Sequence, residues 1–266
     1  MVDDSVADMV QNGAFERFAR FGYVVSGLLH IAIGYLAVRV AQGAGGDVDQ
    51  SGALAEVAAR RGGGIALWVA AGGFLAMALW RLAETVLGRS TDPKSQRTLL
   101  EVSDRLKALG LAAVYFALAW STFGFARGTG ESASEQNSTM SARLLQTTGG
   151  TIALILAGLV IVAVGGYHIF KGATRNFLDD LKGTSSSLVR QLGTVGYIGK
   201  GLAIVGTGVA VVVAAATSDP SRATGLDGAL KSLAAQPFGP VLVNAAAVGI
   251  ITYGLFSFAM ARYTKM

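Results

Sequence analysis

The chain has 266 residues, of which 52% are hydrophobic and only 15% are charged, and its net charge is +5. A soluble domain carries about 25% charged residues, so this composition excludes a soluble enzyme, a disordered chain and a secreted disulfide scaffold. The positive charge does not require a nucleic-acid partner, because membrane proteins place Lys and Arg asymmetrically. We expect no metal or other cofactor, since two histidines and no cysteine are too few for a multi-His or thiolate site.

Six apolar segments are each long enough to cross a ~30 Å hydrocarbon core as a helix. The alternating pattern of a membrane β-strand is missing from them. The sequence therefore predicts an all-α membrane protein with six transmembrane helices. In chain order the predicted spans are Gly22–Ala41, Ile65–Leu87, Ala108–Ala126, Thr151–Phe170, Thr194–Ala216 and Val241–Ala261.

The Lys and Arg residues are distributed unevenly between the two sets of loops. Thirteen of the 22 lie in the N-terminal segment, the loops after the second and fourth spans, and the C-terminus. Six lie in the other loops, and three lie in or at the ends of spans. The positive-inside rule places the richer side in the cytoplasm. We therefore expect a multi-pass protein of the bacterial plasma membrane whose N- and C-termini are both cytoplasmic.

A period of about 86 residues runs through the chain and indicates an internal repeat. We divide the chain into three helical hairpins, residues 1–88, 89–177 and 178–266, which form a single membrane bundle. Parallel repeats that close into one bundle are related by rotations of about 120°, so the sequence predicts a pseudo-threefold arrangement. The repeat is marked in the odd spans by Gly27-Leu28, Gly110-Leu111 and Gly201-Leu202, and in the even spans by Trp80, Tyr167 and Tyr253.

Short glycine-based motifs accompany this repeat. They are Arg20-Phe21-Gly22-Tyr23 with Gly27, Val195-Gly196-Tyr197 with Gly201, and Gln236-Pro237-Phe238-Gly239 leading to Tyr253-Gly254. In these motifs, and over essentially its whole length, the chain resembles a family of actinobacterial membrane proteins that is defined only as a domain of unknown function. The resemblance implies three tandem two-span repeats. It supplies no catalytic or ligand-binding residue.

Ionisable residues near the inner ends of the second and fourth spans form a first candidate site, a charged inner mouth. Arg81 and His168 share one repeat position, and Glu84 and Lys171 share another. Arg81 and Glu84 can pair on one helix face, and we expect Lys171 to lie close to both at the cytoplasmic surface. The group is either an interfacial anchor with a structural ion pair, or a charged gate or ligand ring.

His30 and Lys200 form a second candidate, an intramembrane polar site. His30 is either a hydrogen-bond partner between helices or a proton-linked group, because an unperturbed His titrates near neutral pH. Lys200 lies near the cytoplasmic start of the fifth span, where it either snorkels to the interface or contacts a substrate. We expect Asn244 and Thr252 in the sixth span, and Ser121 and Thr122 in the third, to form hydrogen bonds between helices.

The sequence leaves three classes of function open. The chain has no Gly-x-Ser-x-Gly elbow, no His-Glu-x-x-His motif and no paired acid and base, so we expect it not to be an enzyme. We favour a structural or accessory membrane protein whose partners are membrane lipids or another membrane protein complex. The alternative is a small-molecule or ion transporter or channel. A transporter should line a water-filled cavity with the charged residues, whereas an accessory protein should fill that space with apolar side chains.

Overall fold

The computed structural model describes residues 13–87, 99–183 and 186–265. Over these residues the structure is helical, and its only bridge outside the helices is an isolated pair between Leu181 and Thr264. The predicted all-α fold is confirmed. In chain order the α-helices of the described residues are α1 (Gly13–Ala41), α2 (Gln50–Ala58), α3 (Gly63–Leu87), α4 (Leu99–Ala126), α5 (Ala133–Leu144), α6 (Thr148–Thr174), α7 (Ser187–Thr217), α8 (Leu226–Ala234) and α9 (Gly239–Tyr263), with 3₁₀ turns at Asn176–Asp180 and Pro220–Arg222.

Six of these helices, α1, α3, α4, α6, α7 and α9, are long and apolar enough to cross a membrane. Each contains one of the six predicted spans, so the six-helix prediction is confirmed. The longest is α7, with 31 residues, which corresponds to about 46 Å of helix. Because a bilayer core is ~30 Å thick, part of α7 extends beyond the hydrocarbon region.

Short helices occupy the three connections that follow α1, α4 and α7. Helix α2 lies in the first of these connections and α8 in the third. The middle connection contains α5, which begins after Ser132 because that side chain accepts a hydrogen bond from the backbone N–H of Glu135. These helices carry polar residues that form hydrogen bonds between the connections.

The described chain divides into two compact units. Unit 1 contains the beginning of α1 as far as Val25, together with α3 and α4. Its interior includes the fully buried Phe74, whose ring centroid lies 6.4 Å from that of Tyr115 on α4. Unit 2 contains the rest of α1 from Ser26, α2 and α5 to α9. Its interior includes the fully buried Phe256 of α9.

Facing glycines bring α6 and α7 into close contact within unit 2. A Cβ added at Gly165 would lie 2.8 Å from the carbonyl oxygen of Gly201, and one at Gly201 would lie 2.7 Å from that of Gly165. Gly158 and Gly208 face each other in the same way, seven residues from the first pair on each helix. These helices therefore touch through their backbones, which is the packing that small residues permit in lipid.

Close glycine contacts also join α9 to α1 and α7 in unit 2. A Cβ at Gly254 would lie 2.7 Å from the carbonyl oxygen of Gly27 on α1. A Cβ at Gly249 would lie 2.6 Å from the Cα of Gly199 on α7. Close glycine contacts thus link α1 to α9, α9 to α7, and α7 to α6.

Three of the four polar residues that we expected to join helices form hydrogen bonds within their own helix instead. Asn244, Thr252 and Thr122 each donate a hydrogen bond to the carbonyl four residues earlier on their own helix, at 2.7–2.8 Å. Such local bonds satisfy a side chain without involving a second helix. That expectation was wrong for these three residues, and in unit 2 the close contacts are made by glycine.

Candidate functional site

A group of polar side chains connects three loops of unit 2, and we call it the loop network. Its first centre is Asp49, which is 3% exposed. One carboxylate oxygen of Asp49 accepts from the hydroxyl of Ser51 at 2.6 Å and from the N–H of Gly52 at 3.0 Å, and the other accepts from Ser134 at 2.9 Å. The members of the loop network are Asp47, Asp49, Ser51, Ser132, Ser134, Asp227 and Lys231.

The second centre of the loop network is Asp227, also 3% exposed. It accepts from the backbone N–H of Val48 at 2.8 Å and from Lys231 at 2.8 Å. Lys231 lies 3.7 Å from Asp47, which accepts from Ser132 at 2.7 Å. Because each carboxylate has protein donors, the loop network holds the three loops together. Over the ranges given above, no cluster of His, Asp or Glu has the arrangement of a metal site.

A second group in unit 2 is built from aromatic rings, and we call it the ring cluster. The ring of His30 on α1 lies 4.9 Å from that of Tyr253, and Tyr253 lies 5.3 Å from Tyr197. Tyr197 in turn lies 5.9 Å from His168. These centroid distances are typical of favourable aromatic pairs. The ring cluster comprises His30, His168, Phe177, Tyr197, Tyr253 and Phe256, together with Lys171 and Lys200.

Two lysines place their ammonium groups over rings of the ring cluster. The Nζ of Lys200 lies 4.0 Å from the ring centroid of Tyr253, and that of Lys171 lies 5.5 Å from the centroid of Tyr197. Both distances fall within the range of cation–π attraction. Lys171 also donates to Asp180 at 2.6 Å, whereas Lys200 forms no ion pair with any described residue. The structure thus brings His30 and Lys200, our intramembrane candidates, onto the same tyrosine ring.

Both histidines direct Nδ1 to their own helix. His30 lies 2.7 Å from the carbonyl oxygen of Ser26, and His168 lies 2.8 Å from that of Val164. The Nδ1 contact of His30 lies within α1, and its contact with α9 is made by the ring. The choice between a partner that joins helices and a proton-linked group stays a prediction. The rings meet because glycine lets α9 approach α7: a Cβ at Gly196 would lie 2.6 Å from the Cα of Tyr253.

The charged inner mouth is divided between the two units. In unit 1, Arg81 donates to Glu84 at 2.6 Å and to the hydroxyl of Tyr23 at 3.0 Å. The side chains of Arg81 and Glu84 are each 17% exposed, so the pair is partly withdrawn from solvent. Lys171 and His168 belong to unit 2 and the ring cluster. The proximity of Lys171 to Arg81 and Glu84 stays a prediction.

The loop network was missed by sequence reasoning. Its donors and acceptors are separated by 85 positions between Asp49 and Ser134 and by 179 positions between Val48 and Asp227. The one local signal was an aspartate two residues before a serine at the start of α2, which is typical of a helix N-terminus. That signal indicates a cap and does not reveal the distant partners.

Comparison with known proteins agrees with the repeat. Residues 21–88, 106–175 and 195–264 each match the family described as Domain of Unknown Function (DUF1206). The chain is also 28% identical over 257 residues to "Uncharacterized protein YxxB" of Bacillus subtilis (strain 168), which covers 94% of this chain and 92% of that protein. No solved structure matches the chain. The predicted tandem repeat is confirmed, while the repeat boundaries and the actinobacterial source stay predictions. The chain belongs to the DUF1206 family and carries its domain three times in tandem.

Proposed function

We propose that this protein is a non-enzymatic structural or accessory component of the membrane that interacts with lipids. The observation that supports this most directly is the packing of the ring cluster. Its charged and polar side chains rest on aromatic rings that contact one another, and Phe177 and Phe256 are 1% and 0% exposed. An arrangement of this kind fills the space between the helices, as expected of an accessory protein.

The exposed surface of α6 supports the lipid-interacting part of the proposal. Ile152, Leu156, Leu159 and Val160 are each more than half exposed. Large apolar side chains on one candidate span are costly in water and favourable against acyl chains.

The proposed orientation places both termini in the cytoplasm. A periplasm-active reporter fused after Glu131 should then be active, and one fused after Ser95 should be inactive. The reverse pattern would contradict this orientation.

One observation favours transport as a second candidate function. Lys200 lies in a candidate span and has no carboxylate partner among the described residues. Intramembrane charges of this kind often mark ion or substrate paths. Under this alternative, the ammonium group of Lys200 would bind an anionic solute, and Tyr253 would hold that group in place when the solute is absent.

A reconstitution experiment separates the two candidates. The purified protein is placed in liposomes and in planar bilayers, and the flux of protons, alkali cations, chloride and small anions is measured together with conductance. We expect both the native chain and Lys200→Met to give the same flux and conductance as protein-free membranes. A flux that the native chain supports and Lys200→Met abolishes would overturn the accessory proposal in favour of transport.

A further inference from the structure

A polar cleft opens where α6 ends and α7 begins. Its volume is about 320 Å³, and its lining residues are Arg175, Ser187, Arg190, Gln191, Thr194 and Val195. Two arginines therefore line one cavity. Neither Arg175 nor Arg190 forms an ion pair with a described residue, so the cleft presents positive charge without an acidic side chain to balance it.

On α7, the polar residues of the cleft lie beside an exposed apolar stripe. Ser187, Arg190 and Thr194 follow the spacing that places residues on the same face. Val195, which also lines the cleft, begins a neighbouring stripe that continues through Leu202 and Val209, and the three residues are 48%, 57% and 48% exposed. These three residues recur every seven positions and extend over about 21 Å of helix. The charged cleft thus lies at one end of an exposed apolar stripe.

We propose that this cleft binds the phosphate group of an anionic phospholipid, whose acyl chains lie along the stripe of Val195, Leu202 and Val209. Arginine is suited to phosphate because its planar guanidinium donates two parallel hydrogen bonds. Basic pockets between transmembrane helices on the cytoplasmic side are a recurring form of anionic lipid site. The apolar stripe favours a lipid over free phosphate, because free phosphate has no apolar group to pack against the stripe. This inference rests on the proposed lipid-interacting role and names the lipid class.

The backbone conformation of Arg175 allows its structural role at the end of α6 to be separated from its proposed role in lipid binding. It closes α6 with a left-handed φ of 61°, a conformation in which glycine is usual. Arg175→Gly would therefore suit the backbone while it removes the guanidinium. A purely structural residue at this position should be replaced without loss, whereas a lipid-binding residue should not.

The test measures lipid selectivity on the full chain in detergent by native mass spectrometry, with phosphatidylglycerol competing against phosphatidylcholine. We expect the native chain to retain phosphatidylglycerol preferentially, and the double variant Arg175→Gln, Arg190→Gln to lose that preference by roughly 25-fold, about fivefold per arginine. Arg175→Gly should lose about fivefold while its melting temperature is unchanged or raised. The matched control is Arg61→Gln, Arg143→Gln, which removes the same charge from two exposed arginines elsewhere and should keep the preference.

Two further arms identify the source of the phosphate. Inorganic phosphate or glycerol phosphate added in detergent should not raise the melting temperature, whereas phosphatidylglycerol should. Stabilisation by inorganic phosphate that disappears in the Arg175, Arg190 variant would overturn the lipid assignment in favour of a soluble ligand. Equal loss of selectivity in the matched control would show a general charge effect and overturn the site. Either result leaves the flux experiment on the proposed function unaffected, so the two proposals fail separately.

Discussion

The loop network and the ring cluster both hold charged side chains inside unit 2, and they do so with different chemistry. In the loop network, the buried carboxylates of Asp49 and Asp227 accept hydrogen bonds from hydroxyl, ammonium and backbone donors. In the ring cluster, Lys200 lies against a tyrosine face and His30 bonds to its own helix. A charge removed from the loop network leaves buried partners unsatisfied, whereas removal of the Lys200 charge leaves only the ring of Tyr253.

Glycine explains how the ring cluster is assembled without polar links between helices. Gly196 and Gly199 on α7 lie against the backbone of α9 near Tyr253 and Gly249. This contact sets the distance between the Lys200 and Tyr253 side chains. The stability of the ring cluster should therefore depend on backbone approach more than on any of its charges.

The largest effect is expected for Gly199→Ala. Its new Cβ would overlap the Cα of Gly249, so α7 and α9 would have to separate. We expect this separation to lower the free energy of unfolding by about 3 kcal/mol. Gly206→Ala on the same helix is the matched control, because its Cβ would meet only the Cβ of Ala229 at 4.0 Å. Denaturant unfolding in detergent should show the control unchanged or slightly stabilised. Equal losses in both variants would contradict the role of glycine.

Asp49→Ala should have the next largest effect. It leaves the buried donors Ser51, Gly52 and Ser134 without their acceptor, which costs about 2–3 kcal/mol. Asp179→Ala removes an exposed carboxylate and should change the unfolding free energy by less than about 0.5 kcal/mol. If Asp49→Ala unfolds like Asp179→Ala, the loop network does not hold the loops together.

These two regions also show what a sequence can predict. Span lengths and the 86-residue period are local or repeated properties, and they predicted six helices and three repeats correctly. The loop network depends on which loops meet, and no local pattern relates Asp227 to Val48. His30 and Lys200 were grouped only as polar residues within predicted spans, and the ring of Tyr253 between them was not foreseen. Facing glycines could be recognised as small residues, but their partners appear only when the helices are packed.

A smaller effect is expected for Glu84→Gln in unit 1. Glu84 accepts from Arg81 at 2.6 Å in a pair whose side chains are each 17% exposed, so weakening it should cost about 1–2 kcal/mol. Glu56→Gln is the control, since Glu56 lies 3.8 Å from Arg39 and their side chains are 37% and 39% exposed, and such pairs contribute about 0–1 kcal/mol. Melting in detergent should rank Glu84→Gln below Glu56→Gln, and the opposite order would remove the structural role of the Arg81 pair.

The smallest effect is expected for Lys200→Met, and it completes the comparison. Methionine keeps the apolar contact with Tyr253, and the lost cation–π attraction of about 1 kcal/mol is offset by the relief of a charge in the span. Lys231→Met leaves the buried Asp227 without its cation and should cost about 2 kcal/mol. A larger loss for Lys200→Met than for Lys231→Met would reverse our account of the two regions.

The most direct test of the central claim, that the ring cluster is packed and does not line a water path, uses the absence of cysteine from the chain. Single variants Lys200→Cys and His30→Cys are exposed to a small, water-soluble methanethiosulfonate reagent in native membranes, with the exposed Glu135→Cys as the reactive control and denatured protein as the reference. We predict rapid modification at position 135 and none at positions 30 and 200 until the protein is denatured. Modification of both ring-cluster positions in the native protein, at a rate near that of the control, would contradict the account.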